Sequence, residues 1–152
     1  MIGVISDTHG LLRPEAIEAL RGSELILHAG DIGDIAVIEA LQKVAPVCAV
    51  RGNVDTSPWA QAFPATQFYE YGAHSLYMLH NIRELDIDPA AAGACVVVYG
   101  HSHKPLIEHK ENLLYLNPGS AGPRRFSLPV SVARLRFEAG RPVAEIVELP
   151  VS

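Results

Sequence analysis

The sequence predicts a mixed α/β domain whose strand ends gather polar, metal-capable side chains, and three observations predict it. Strand-type apolar runs alternate with helical spacing through the first third of the chain. The last third carries strand runs separated by tight-turn signals, which reads as antiparallel. Ligand-type residues fall directly after five of the strand runs.

Met1 to Ser6 is a short apolar run with β-branched residues, the pattern of a buried strand. Pro14 stands where a helix would start, and Ala16, Ile17 and Leu20 follow at helical spacing. Leu25 to Ala29 is the second strand. Ile35, Ile38, Leu41 and Val44 recur at three-residue steps and give a helix over Ile35 to Val44, before a third strand from Pro46 to Val50. This alternation implies βαβ units and a parallel sheet. Thr66 to Tyr71, Gly72-Ala73 and Ser75 to Leu79 form a hairpin pattern. Asp88 to Gly93 reads as a short helical connection into a buried strand from Ala94 to Tyr99. Leu106 to Lys110, Leu113 to Asn117, Val130 to Phe137 and Val143 to Leu149 are strand-like, with turn signals at Glu111-Asn112 and Ala139-Gly140. The Pro- and Gly-rich stretch from Asn117 to Pro129 reads as one functional loop.

The chain has 152 residues, which suits one domain spanning 1–152. At that size roughly two thirds of the unfolded surface can be buried, so neither a disulfide nor a structural metal is needed, and a bound metal would be functional. Twelve Lys and Arg against seventeen Asp and Glu leave a net charge of −5. That balance argues against a broad basic face, so nucleic acid is not an expected partner. It is compatible with a phosphorylated substrate, because bound divalent ions reverse the local field. Cys48 and Cys95 sit in apolar runs without CxxC spacing, read as buried strand thiols in a reducing, cytoplasmic compartment. No signal peptide is visible, and no apolar run approaches the ~20 residues that span a bilayer, so no membrane partner is expected.

The chemistry lies in where the metal-capable residues fall. Asp7 and His9 follow the first strand, Asp31 the second and Asn53 the third; His80 ends the hairpin, and His101 and His103 follow the Ala94 to Tyr99 strand. The carboxyl ends of strands in an α/β sheet meet at one edge, where ligands bind. Residues almost a hundred positions apart can therefore converge. Gly30, Gly52 and Gly100 each immediately precede a ligand, where the chain must turn sharply beside a bound group. Carboxylate, imidazole and amide oxygen without thiolate suit Mn, Fe, Co, Ni or Zn rather than a cysteine-type structural zinc. Seven such residues are too many for one tetrahedral ion and suit two ions with a shared carboxylate.

Taken together, Asp7-x-His9, Gly30-Asp31, Gly52-Asn53-x-Asp55, His80 and Gly100-His101-x-His103 resemble the full signature of the calcineurin-like metallophosphoesterase superfamily. The short length and Asn117-Pro118-Gly119-Ser120 resemble its small prokaryotic phosphodiesterase branch. The resemblance implies a four-layer fold, a β-sandwich of two sheets flanked by helices with the site at one end. It implies one divalent transition-metal ion on Asp7, His9, Asp31 and His103 and a second on Asp31, Asn53, His80 and His101, bridged by Asp31. Mn is the first expectation for both, with Fe, Ni, Co or Zn as alternatives. Catalysis would rest on Asp31, Asn53 and His80, a metal-bridging hydroxide attacking the phosphorus of a small phosphodiester without a covalent enzyme intermediate. A homodimer is the assembly left open.

Two positions depart from the family pattern. Val54 stands where many members carry a histidine that protonates the leaving group, help worth roughly 10²–10⁴-fold in rate. Asn81 stands where glycine commonly follows the fourth-block histidine. Other residues carry two readings each. His28, inside a strand, is a core residue or supports a ligand from behind; His74 and His109 are surface residues. Asp55 accepts from a ligand histidine or merely makes a turn. Arg51, Arg124 and Arg125 offer guanidinium groups suited to phosphate, or solvated loop charge. Asn117, Gly119 and Ser120 present backbone N–H groups to substrate, or form a tight turn. The alternative function is a non-enzymatic protein-interaction scaffold of the same fold, similar to the retromer scaffold subunit; the survival of all seven ligand positions favours the enzyme.

Overall fold

The computed structural model describes residues 1–151. β1 (Ile2–Ile5), β2 (Leu25–His28) and β3 (Val47–Ala49) run parallel, joined by α1 (Pro14–Leu20) and α2 (Ile35–Gln42). Pro14 opens α1 and the Asp34 side chain caps α2 by accepting from the Ala36 N–H. β4 (Thr66–Tyr71) and β5 (His74–Leu79) form the expected hairpin, and β6 (Val96–Val98) pairs parallel to β5. β7 (Leu106–Lys110) and β8 (Leu113–Asn117) are an antiparallel pair, as are β9 (Ser131–Glu138) and β10 (Arg141–Glu148).

These strands make two five-stranded sheets, ordered β10-β9-β1-β2-β3 and β4-β5-β6-β8-β7. The antiparallel last third thus divides between them. β8 adds parallel to β6 in the second sheet, whereas β9 crosses to pair with β1 in the first. The sheets pack face to face, and strand alternation decides which side chains fill the space between them. Ile2, Val4, Leu25 and Leu27 point inward against Leu76, Met78, Val96, Val98, Leu114 and Leu116. The alternate residues point outward: Ile5 and Ile26 pack under Ala16, Leu20, Ile38 and Leu41 of the two helices. Burial on both faces explains why the β1, β2 and β6 segments read as continuous apolar runs.

The outer face of the second sheet is covered differently. Tyr77, Leu79, Val97 and Tyr99 pack under Ile82 and Leu85, which belong to a 3-10 turn (Ile82–Glu84) and the residue after it. The helical connection expected over Asp88–Gly93 is a single hydrogen-bonded turn, closed by Ala92 N–H to the Asp88 carbonyl at 3.0 Å. Pro89 and Gly93 bound it too tightly for a second turn. A second 3-10 turn, Pro58–Ala62, carries no helical periodicity and escaped the sequence reading. Cys48 lies in β3 and Cys95 just before β6; both are free and half-buried, less enclosed than expected. No helix among the described residues is long and apolar enough to cross a membrane.

Candidate metal centre

β1, β2, β5 and β6 stop at the same end of the sandwich, and the residues that follow them converge there. Asp7 and His9 leave β1, Asp31 leaves β2, His80 immediately follows β5, and His101 and His103 follow β6. Five of these residues, Asp7, His9, Asp31, His101 and His103, have positive φ, from 47° to 72°. Left-handed backbone at non-glycine residues costs of order 1–3 kcal/mol each and persists where surrounding structure imposes it, characteristically at functional sites.

The side chains meet in two overlapping groups: Asp7, His9 and His103, and Asp7, Asp31 and His80. His80 Nε2 lies 3.2 Å from Asp31 Oδ2, and His9 Nε2 lies 3.6 Å from the same oxygen. Asp7 Oδ1 is 3.4 Å from His103 Nε2 and 3.8 Å from both His9 and His80 Nε2. His101 is exposed and lies beside this cluster, its ring centroid 5.3 Å from that of His80. Asn53 is also exposed, on the wall of a cavity that His80 and His101 share.

Backbone and hydroxyl groups orient three of the candidate ligands. Ser6 Oγ donates to Asp7 Oδ2 at 2.7 Å, and the His101 N–H donates to the same oxygen at 3.1 Å, leaving Oδ1 turned to the histidines. The Val54 N–H donates to Asp31 Oδ1 at 3.1 Å, which frees Oδ2. His80 Nδ1 lies 2.8 Å from the Ala29 carbonyl, so that nitrogen carries a proton and Nε2 is the one turned to the two carboxylates. Burial works to raise the Asp7 and Asp31 carboxyls, but hydrogen bonding and charge from His103 and His80 outweigh it and both lie below the usual carboxylate range. Burial works to lower His80, and its two carboxylate neighbours raise it overall.

This arrangement fits a cation better than a proton. Asp7 Oδ1, His9 Nε2, His80 Nε2 and His103 Nδ1 are buried without any hydrogen-bond partner. An unpaired buried polar atom costs about 1–3 kcal/mol, and native proteins rarely gather several in one place. Carboxylates and imidazoles, with no thiolate, are the donor set of transition-metal sites.

Other expected residues fall into three places. His28 is wholly buried behind the ligand loops. Thr8 Oγ1 donates to the Ile32 carbonyl at 2.8 Å, so its oxygen accepts from His28 Nε2 at 3.0 Å while His28 Nδ1 accepts from the Gly30 N–H. That tautomer is neutral, and burial lowers its pKa to about 4. Asp55 accepts from the backbone N–H groups of Ile32, Gly33 and Gly52 at 2.8–3.0 Å, so it ties the loop after β3 to the loop after β2 rather than supporting a histidine.

The substrate-facing expectations need correction. Asn117 is buried, its amide donating to the Gly100 carbonyl and Ser102 Oγ and its oxygen accepting from Gly119. Ser120 is buried too, with Oγ donating to the Asp7 carbonyl at 3.0 Å. Both brace the ligand loops from inside, and the Asn117 to Pro129 stretch is half brace and half exposed loop, with Arg124 and Arg125 on the exposed half. Arg51 does reach the cavity wall, with Nη1 donating to the Phe63 carbonyl at 2.6 Å. His74, expected at the surface, is half-buried and stacks on Phe137 at 3.8 Å. Sequence reasoning passed over Ser6 and Thr8; a hydroxyl directly before a ligand, as in Ser6-Asp7 and Thr8-His9, is the signal that could have found them.

Comparison with known proteins finds a matching family and several relatives. Residues 1–140 match the family described as the calcineurin-like phosphoesterase superfamily domain. A probable metallophosphoesterase of Methanothermobacter thermautotrophicus is 36% identical over 159 residues, covering 97% of this chain and 91% of the relative. The phosphodiesterase YfcE of Escherichia coli K12 is 30% identical over 162 residues, covering 86% of this chain and 84% of its own. Among solved structures, Vps29 of Entamoeba histolytica complexed with Zn2+ superposes with a TM-score of 0.76 at 18% identity, covering 97% of this chain and 98% of its own, a likeness of fold.

Proposed function

The chain belongs to the calcineurin-like phosphoesterase superfamily, and from that premise we propose that it hydrolyses phosphodiesters at a pair of divalent metal ions. The observation that carries the reading is the convergence at one end of the sandwich of four ligand-type residues, each with a buried side-chain atom that has no hydrogen-bond partner. Asp7, His9, Asp31 and His103 would hold one ion, and Asp31, Asn53, His80 and His101 the other. Mn suits this oxygen and nitrogen donor set, with Fe, Ni, Co and Zn competing for it. Bound there, the ions would supply an activated water and positive charge against the phosphoryl oxygens.

The chain's own residues do the rest. Ser6 and the His101 N–H hold the Asp7 carboxylate in one orientation, and the Ala29 carbonyl fixes the His80 tautomer, so neither reorganises during reaction. Val54 contributes its N–H to Asp31 and has no side-chain proton to give a leaving group. That points to esters whose leaving groups depart as stable anions. The alternative, a non-enzymatic scaffold of the same fold, gains no specific support here, since likeness to Vps29 is one of fold. Two free thiols suit a reducing, cytoplasmic setting.

The test pairs metal analysis with a bis-(p-nitrophenyl) phosphate assay. Wild-type protein reconstituted with Mn should bind two ions and turn the ester over. If Asp31 is the shared ligand, Asp31→Asn should lose both ions and at least about 10²-fold in kcat, while Asp7→Asn should keep one ion. The side chains also allow Asp7 to be shared, and the opposite stoichiometry would make Asp7 the bridge. A wild-type protein that takes up no metal and gives no turnover would favour the scaffold.

A further inference from the structure

We propose, resting on the phosphodiesterase reading above, that the substrate is a diester with an ammonium group on one of its two arms. The site opens on one side into a cavity of about 370 Å³. His80, only 6% exposed and with Nε2 unpartnered, lies on its wall, so the cavity leads directly from the ligand cluster. The same wall carries Arg51, Glu84 and Asp86. The Phe63 carbonyl holds the Arg51 guanidinium in place. Glu84 and Asp86 are exposed and make no ion pair among the described residues.

Away from the corner where Asn53, His80 and His101 would hold an ion, one guanidinium against two carboxylates leaves this wall net acidic. Ions at the metal centre would meet the negative phosphoryl group, whereas the arm beyond it meets the carboxylates. A second phosphate or a carboxylate on that arm would be repelled, and an ammonium would be attracted. Room for the other arm exists on the far side of Asn81 and His101, where a second cavity of about 480 Å³ is lined by Arg83 and Tyr99. Asn81 sets this division. Its Oδ1 accepts from the Arg83 N–H at 3.0 Å and caps the 3-10 turn that places Glu84 beside one cavity and Arg83 beside the other. A glycine at that position would have no such cap.

Three p-nitrophenyl diesters differing only in the second arm test this: choline, ethyl and carboxyethyl, each offered to metal-loaded protein. Exposed charge pairs support a preference of about fivefold in kcat/KM for choline over ethyl, with carboxyethyl poorer than ethyl. In Glu84→Gln/Asp86→Asn the choline-to-ethyl ratio should fall to about one. A ratio already near one in the parent protein, or one that survives in the double variant, would overturn the ammonium-arm assignment alone. Failure of the loaded protein to cleave any of the three would overturn the phosphodiesterase reading and this inference with it.

Discussion

Gly52 and Gly100 lie at the end of the sandwich that carries the candidate metal centre (the metal end), Gly72 and Gly140 at the other, and a methyl group would mean different things to each pair. A Cβ on Gly52 would run into the Asp31 carboxylate and backbone, and one on Gly100 into the Ser6 hydroxyl and Asp7 Oδ2. At Gly72 and Gly140, in the turns that lead into β5 and β10, it would meet nothing within 4 Å. The far end uses glycine only for the left-handed turn a hairpin needs. The metal end uses it to bring carboxylates against backbone. Its polar atoms are buried and left unpaired, its ligand residues are in strained conformations, and its loops are tied together by Asp55 and His28. The same sheets thus end in slack turns on one side and in a tightly constrained cluster on the other.

Substitutions can break that contrast, beginning where the effect is largest. Gly52→Ala should displace Asp31 and cost about 10²-fold in kcat/KM, the order expected when a reacting group moves by roughly 1 Å. Metal affinity should fall with it. Full activity and two bound ions in this variant would mean that the crowding is not functional. The next effect is a pH dependence. His28 is neutral in the fold, with a pKa lowered to about 4 by burial, against ~6.5 when unfolded. Between those values the unfolded chain takes up a proton that folded His28 refuses, so stability falls as pH drops through that window, by roughly 3 kcal/mol in all. Urea midpoints of metal-free protein at pH 7 and pH 5 should show it, and His28→Gln should flatten that part of the slope. An unchanged slope would assign the pH dependence to other groups. The smallest effect is Gly140→Ala, whose positive φ should cost about 1 kcal/mol or less while metal content and turnover match the parent. A loss of activity there would show that the far end is not slack.

Much of the site was legible because its grammar is local. A strand followed at once by glycine and a ligand, as in Gly30-Asp31 and Gly100-His101, announces both the turn and the chemistry within two or three residues. The division of strands between sheets was not legible. Leu113–Asn117 and Ser131–Glu138 are both strand runs with apolar inward positions, and only long-range pairing sends β8 to β6 and β9 to β1. Asn117 and Ser120 misled for a related reason. Polar residues beside Pro and Gly suggest an exposed binding loop, yet here they are buried because the Gly100 and Asp7 carbonyls need donors. The roles of Asp55 and His28 depend on which backbone N–H groups arrive from other loops, and nothing in their neighbouring sequence records that.

The left-handed backbone at Asp7, His9, Asp31, His101 and His103 also gives this architecture a direction in evolution. Strain of order 1–3 kcal/mol at each position is tolerable only while selection keeps the side chain it serves. Once hydrolysis no longer matters, glycine or asparagine at any of these positions relaxes the chain, and a random walk through such changes leads toward a more stable protein without chemistry. The return journey climbs the same gradient, one strained residue at a time, before any activity rewards it. A sandwich of this kind would therefore shed its reaction more readily than its shape.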